Sequence, residues 1–330
     1  MRGAFPSEVL KVWLYAAASV LLGAWVSPLI YNAGKALAEI SSVKQTNGPL
    51  HWLAGICRAA EFPKFFEVSL LGSAVILFLP FLHWLQVRAA LGKGRQLAEK
   101  SRGWNGGQPL LDNPRRLRQA VTGFFSVTVV FFLIAGCLIF TGVFEWKQPG
   151  GSLGKIALRG FTTALGLAIF QELVFRGIAL GIFLRALHPL AAISLSALLF
   201  ALVHFLNPPP GLNVLDPDAS GVGFELLGKI AVRLSEPRIV LGAFAPLLAL
   251  GAVLAYARWR TASLGLSIGL HTGWIFVHGI LASVTVAAGF PSLLTGPTLG
   301  QGLIPLAGIL FAGVFTHYLT STADATDATA

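Results

Sequence analysis

The sequence predicts an all-α fold, a polytopic membrane helix bundle of about eight transmembrane helices. Three observations carry that prediction. Of the 330 residues, 55% are hydrophobic and only 12% are charged, where a soluble domain carries roughly 25% charged residues. Mean hydropathy is +0.73. Apolar runs of about 20 residues, the length at which a helix crosses the hydrocarbon core, recur along the chain. The roughly ten-residue alternation of a membrane β-barrel is absent.

The runs fall at about 12–33, 68–87, 121–143, 156–184, 190–206, 239–257, 261–284 and 299–319. The first follows Arg2 and Lys11 and lacks a small-residue cleavage site, so it reads as a transmembrane helix and not a removed signal peptide. Residues 88–118 carry Arg88, Lys93, Arg95, Lys100, Arg102, Arg115, Arg116 and Arg118 against Glu99 and Asp112. Cytoplasmic loops carry such an excess of Lys and Arg. That loop is therefore expected inside, and with eight spans both termini are cytoplasmic too. The Arg258-Trp259-Arg260 turn agrees, whereas Lys35, Lys44, Arg58 and Lys64 fall on the other side. The expected location is a bacterial cytoplasmic membrane. The net charge of +10 is then a consequence of topology, and no nucleic-acid partner is implied. Cys57 and Cys137 form no CxxC pair, so neither a disulfide framework nor a cysteine metal site is indicated.

The spans read as one bundle without internal repeats. Within it, 1–150 holds the N-terminal helices and the basic loop, 151–320 a core bundle, and 321–330 a low-complexity tail of disordered composition. The longest link of the second half, 207–238, opens on a helix stop, "NPPPG". Its 224–234 stretch has the pattern of an amphipathic helix at the bilayer surface.

Chemistry enters at "IFQELVFRG", residues 169–177. Glu172 is the sole carboxylate between Glu145 and Asp216, near the middle of an apolar run. A carboxylate at that depth costs about 2.5–3.5 kcal/mol on insertion scales. Arg176, four residues on, shares its helix face and is within reach for an ion pair. One reading is thus structural: the two charges neutralise each other and lock the helix. Two later runs add histidines. In "FALVHF", Ser196, Phe200, His204 and Asn207 fall on one helical face. In "GLSIGLHTGWIFVHG", Ser267, His271, Trp274 and His278 form a polar and aromatic stripe. Gly265, Gly269 and Gly273 lie nearly opposite, spaced for close approach of a neighbouring helix, and Gly177 and Gly181 offer the same on the fourth run. Ionisable groups inside a membrane face the bundle interior or a water-filled cavity. A carboxylate and two imidazoles there can activate water and polarise a carbonyl. Alternatively Glu172, His204 and His271 make a His2Glu zinc set, although no HExxH spacing supports it.

"QELVFRG", "FALVH" and "GLHTGW" resemble the motifs of the CPBP family, the CAAX-protease and bacteriocin-processing group of intramembrane endopeptidases. The resemblance covers about 155–285. Its pattern is Glu-Glu-x-x-x-Arg, Phe-x-x-x-His and His-x-x-x-Asn or Asp. Carried over, it implies that His204 helps activate the attacking water and His271 stabilises the oxyanion; Glu172, paired with Arg176 or turned toward the histidines, is either structural or itself the base, with Gln171, Phe200 and Trp274 in support. A glutamate-protease mechanism needs no cofactor, while zinc remains the alternative. The implied substrate is a membrane-associated peptide or protein, met in the lipid bilayer. Two positions depart from the pattern: Gln171 stands where the first glutamate is expected, and Ile275 where Asn or Asp is expected. Glutamine takes no proton from water near neutral pH, and Ile275 offers no hydrogen bond to an oxyanion.

Three functions compete on these grounds. An intramembrane endopeptidase requires Glu172, His204 and His271. A catalytically inactive relative, acting as a membrane binding or immunity factor, is favoured by Gln171 and Ile275. A transporter or channel is disfavoured by the scarcity of acids and the lack of inverted repeats or paired broken helices.

Overall fold

The computed structural model describes residues 7–44, 47–85, 115–209, 211–212, 214–289 and 292–327. In chain order these form α1 (Ser7–Val43), α2 (Pro49–Ala59), α3 (Phe62–Trp84), α4 (Arg116–Phe140), β1 (Phe144–Trp146), α5 (Leu153–Ala186) and α6 (Pro189–Phe205). There follow α7 (Val222–Val232), α8 (Pro237–Thr261), α9 (Gly265–Val284), β2 (Thr285–Ala287) and α10 (Leu303–Asp327).

Seven of these, namely α1, α3, α4, α5, α8, α9 and α10, are long and apolar enough to cross a membrane. The eighth apolar helix, α6, has 17 residues, at the short end of the range for a span of about 17–25. The eight helices fall on the eight apolar runs, and the chain is a multi-pass helical membrane protein. Their outward residues are what lipid requires: Leu79, Leu133, Phe140, Leu158 and Val314 are all exposed.

Contacts divide the chain into two compact units, one of residues 1–93 with 205–235, the other of 94–204 with 236–330. This division differs from the expected break near residue 150, because the 205–235 link returns to the first helices. In the first unit α1 packs along α3, α2 and α7. Tyr15 stacks on Phe81 with ring centroids 4.3 Å apart and donates its hydroxyl to the Ala74 carbonyl at 2.7 Å. Helix α7 covers most of the expected amphipathic stretch, but its apolar face is not laid on the bilayer. Val222, Gly223, Leu226 and Ile230 are buried, and a Cβ on Gly223 would overlap the Ala24 carbonyl of α1. Helix α2 was not anticipated; at 11 residues it is too short to register as a span.

In the second unit α4 and α9 run parallel in close contact. A Cβ added to Gly265, Gly269 or Gly273 would meet the backbone of Arg116, Ala120 or Phe124, respectively. The four-residue glycine repeat is thus matched by a four-residue repeat on α4; the sequence predicted the close approach but not its partner. Gly181 is different: a Cβ there would meet nothing within 4 Å, so it is not a close-approach glycine. The chain leaves α4 and α9 through β1 and β2, which pair antiparallel with Glu145 opposite Val286. Helix α10 packs on α8 and α4 and continues to Asp327, into the stretch whose composition suggested a disordered tail. Most of the basic loop, 86–114, lies outside the described residues.

Candidate active site

The site forms within the second unit from α5, α6, α8 and α9. It begins with a change of helical register. Helix α5 is α-helical to Glu172, then π-helical over Leu173–Ala179. There the Leu180 N–H donates to the Phe175 carbonyl, five residues back. Such wide turns are rare and concentrate at functional sites. This one carries Arg176 and directly follows Glu172.

Glu172 and Arg176 are fully buried. Arg176 Nη1 donates to Glu172 Oε1 at 3.0 Å, so the expected i,i+4 pair exists. The same oxygen accepts a second hydrogen bond, from His271 Nδ1 at 2.8 Å. Glu172 therefore joins α5 to α9 across 99 residues of sequence, and its other oxygen, Oε2, is buried without a hydrogen bond. Arg176 is held from the far side too: Nη2 donates to the Gly251 carbonyl of α8 at 3.2 Å.

Phe200 is the hub that brings α6 in. Its ring lies 4.4 Å from the Arg176 guanidinium carbon, 5.6 Å from the His271 ring and 4.0 Å from the His204 ring. Cation–π attraction strengthens when the pair is desolvated, so Phe200 binds Arg176 as well as filling space. His204 Nδ1 donates to the Phe200 carbonyl one turn back, at 2.8 Å. That bond fixes the ring and leaves Nε2 as the basic nitrogen of the neutral imidazole. His204 is half-buried and within electrostatic reach of Glu172, Arg176 and His271.

The structure thus brings together five of the expected residues, Glu172, Arg176, Phe200, His204 and His271. Gln171 flanks them, with its amide oxygen buried and unbonded. Trp274 belongs to a different group: it packs on His278, ring centroids 3.9 Å apart, and edge-on to Phe131 at 5.0 Å. His278 Nδ1 donates to the Trp274 carbonyl. Ile275 is half-buried and hydrocarbon, so nothing at that position replaces the missing Asn or Asp. Gly251 was missed. A glycine inside an apolar helix carries no chemical mark, and its contribution is a backbone carbonyl.

The donor set does not fit a zinc ion. Among the described residues no three His, Cys, Asp or Glu side chains are placed to hold a metal. Glu172 Oε1 already receives two N–H donors, and Oε2, although without a hydrogen bond, is not gathered with two further ligands.

Residues 153–277 match the family model of the type II CAAX prenyl endopeptidase Rce1-like proteins. The matched stretch runs from the start of α5 into α9 and contains every residue of the site. It bears out the resemblance drawn from the three motifs, and the matched family is one of CAAX proteases, in agreement with an enzyme. No curated protein and no solved structure matches the chain.

Proposed function

We propose that the protein is an intramembrane endopeptidase that hydrolyses a peptide bond of a membrane-associated substrate, of which prenylated or otherwise lipid-anchored peptides are the favoured class. The observation that carries this reading is the pairing of a tethered imidazole with a free one. His271 is held by a buried carboxylate, and beside it His204 keeps its Nε2 lone pair. In this scheme His204 Nε2 takes a proton from a water as its oxygen attacks the scissile carbonyl carbon. Gln171 Oε1 accepts the water's other hydrogen and aims it. His271, fixed through Nδ1 on Glu172, turns its Nε2 side to the developing oxyanion and donates to it when that nitrogen carries a proton. His204 then returns the proton to the leaving amine as the carbon–nitrogen bond breaks. In this scheme Glu172 acts through His271 and Arg176, which share its Oε1, and His204 is the base. Hydrolysis of this kind draws on general acid–base transfer and a preorganised donor, and it asks for no metal.

Topology favours both termini in the cytoplasm. The first turn of α4 carries Arg116 and Arg118 and the last turn of α8 carries Arg258 and Arg260. The start of α9, which follows α8 directly, lies against Arg116, so the basic ends of α4 and α8 fall on the same side.

A second reading has its own support. Gln171 replaces a carboxylate, and Glu172 Oε1 is engaged by two cationic or potentially cationic partners. That is the arrangement expected of a catalytically inactive relative that binds membrane peptides or confers immunity. One experiment separates the two. The gene is deleted in its host and restored as wild type, Glu172→Gln or His204→Ala, and the termini of membrane and secreted proteins are compared by mass spectrometry. Endopeptidase activity predicts new termini with wild type that vanish in both variants. Restoration of the same phenotype by all three, with termini unchanged, establishes the binding protein instead.

A further inference from the structure

We propose that Gly251 is a positioning residue of this site, setting the arginine that sets the carboxylate. The proposal rests on the protease reading for its effect on cleavage, but the geometry stands by itself. Gly251 does two things at one Cα. Its carbonyl accepts Arg176 Nη2 at 3.2 Å, the one hydrogen bond joining Arg176 to a helix other than its own among the described contacts. Its missing Cβ lets α6 approach: a methyl group there would stand 3.0 Å from Ala197 Cα, 3.1 Å from the Ala197 carbonyl oxygen and 3.1 Å from Phe200 Cδ1. Two of those three atoms are backbone, which cannot rotate away. The third belongs to the ring that packs against His204 and lies over Arg176.

Gly251 therefore controls both halves of the site. Through its carbonyl it fixes the guanidinium, which with His271 shares Glu172 Oε1. Through its bare Cα it fixes how far Phe200, and the His204 ring behind it, lie from that guanidinium. Gly251 touches no reacting atom. A methyl at this point displaces α6 by some tenths of an ångström and moves His204 relative to His271. A misplacement of about 1 Å costs on the order of 10²-fold in rate. A shift of this smaller size predicts a loss of about tenfold or more in kcat with KM little changed, since Gly251 acts on the placement of the reacting groups and not on substrate contacts.

The test uses full-length protein in micelles, a fluorogenic farnesylated peptide as probe, and ¹⁵N-histidine labelling to follow the His271 Nδ1–H resonance. Gly251→Ala is compared with Gly242→Ala on the same helix, where a Cβ meets only Leu293 Cδ1, at an ordinary 3.9 Å. The expected result is a fall in kcat and a displaced or solvent-exchanging His271 N–H in Gly251→Ala alone. Arg176→Lys keeps the charge but cannot span Glu172 and Gly251 together, so it produces the same displaced resonance. In the double variant the two losses do not add, as for residues acting through one contact. Should Gly251→Ala fail to fold, Arg176→Lys still reads the linkage. An unchanged His271 resonance in a folded Gly251→Ala or Arg176→Lys protein overturns the proposal. If wild type leaves the peptide uncut, the protease reading fails instead, and the histidine signal alone decides the role of Gly251.

Discussion

His271 Nδ1 donates to Glu172 Oε1 at 2.8 Å, and Arg176 donates to the same oxygen at 3.0 Å. One carboxylate oxygen thus serves as both the partner of a buried cation and the anchor of an imidazole on another helix. Separating these roles gives the first prediction. Glu172→Ala strands Arg176 without a counter-charge, and breaking a buried pair from one side costs about 3–5 kcal/mol. Glu172→Gln retains an acceptor oxygen and loses only the charge. Thermal unfolding in detergent should show a large drop for Ala and a smaller one for Gln. Peptide cleavage should fall by about 10²-fold or more in both, the scale of a lost acid–base contribution. Equal stability of all three proteins would mean that the Glu172 carboxylate, with its bonds to Arg176 and His271, does not hold the fold.

Gln171 supplies the second prediction. Its buried amide oxygen is without a hydrogen bond; an amide oxygen can accept one but takes no proton. Gln171→Glu adds a proton acceptor beside the existing site, and cleavage should rise, up to the ~10²-fold at the lower end of general-base effects. Gln171→Ala should lower cleavage without changing the His271 Nδ1–H signal, because Gln171 does not hold that bond. Progress curves for the two variants against wild type decide the point. If both variants cleave as wild type does, Gln171 has no part in aiming water.

The sequence and the structure part company at identifiable places. Apolar length alone located eight helices, because a span must bury its backbone polar groups within itself. The Gly265, Gly269, Gly273 repeat announced a close helix contact, because a four-residue small stripe has few other uses in a membrane, but not that α4 would make it. Arg176 was legible as the partner of Glu172 from i,i+4 spacing. His271 was legible only as a third ionisable group of unknown partner, since no local rule reaches across 99 residues. The π-helical turn at Leu173–Ala179 was invisible, for one extra residue per turn leaves no trace in composition. Gly181 looked like Gly269 and faces open space; Gly251 looked like neither and accepts the hydrogen bond from Arg176.

That contrast between glycines is the third prediction. At Gly269 a Cβ would overlap the Ala120 carbonyl, whereas at Gly181 it meets nothing within 4 Å. Overpacking a tight interface costs about 1–3 kcal/mol. Replacing an unconstrained mid-helix glycine by alanine gains about 0.5–1 kcal/mol. Gly269→Ala should lower the unfolding midpoint in detergent and Gly181→Ala should leave or raise it. Opposite ordering of the two would show that α4 and α9 are not in contact through the glycine face.

The last prediction concerns metal. A zinc hydrolase needs three protein ligands with lone pairs converging on one point and a fourth position for water. Here Glu172 Oε1 is saturated by N–H donors, and His271 spends Nδ1 on that carboxylate. His204 spends its own Nδ1 on the Phe200 carbonyl. The geometry provides two single Nε2 atoms and no converging third ligand. Cleavage of the farnesylated peptide should therefore survive incubation with a strong zinc chelator followed by its removal. Elemental analysis of the purified protein should find zinc well below one atom per chain. Activity lost on chelation and restored by zinc, but not by magnesium, would bring Glu172 Oε2 and the two histidines onto one ion and would overturn the assignment of His204 as the base.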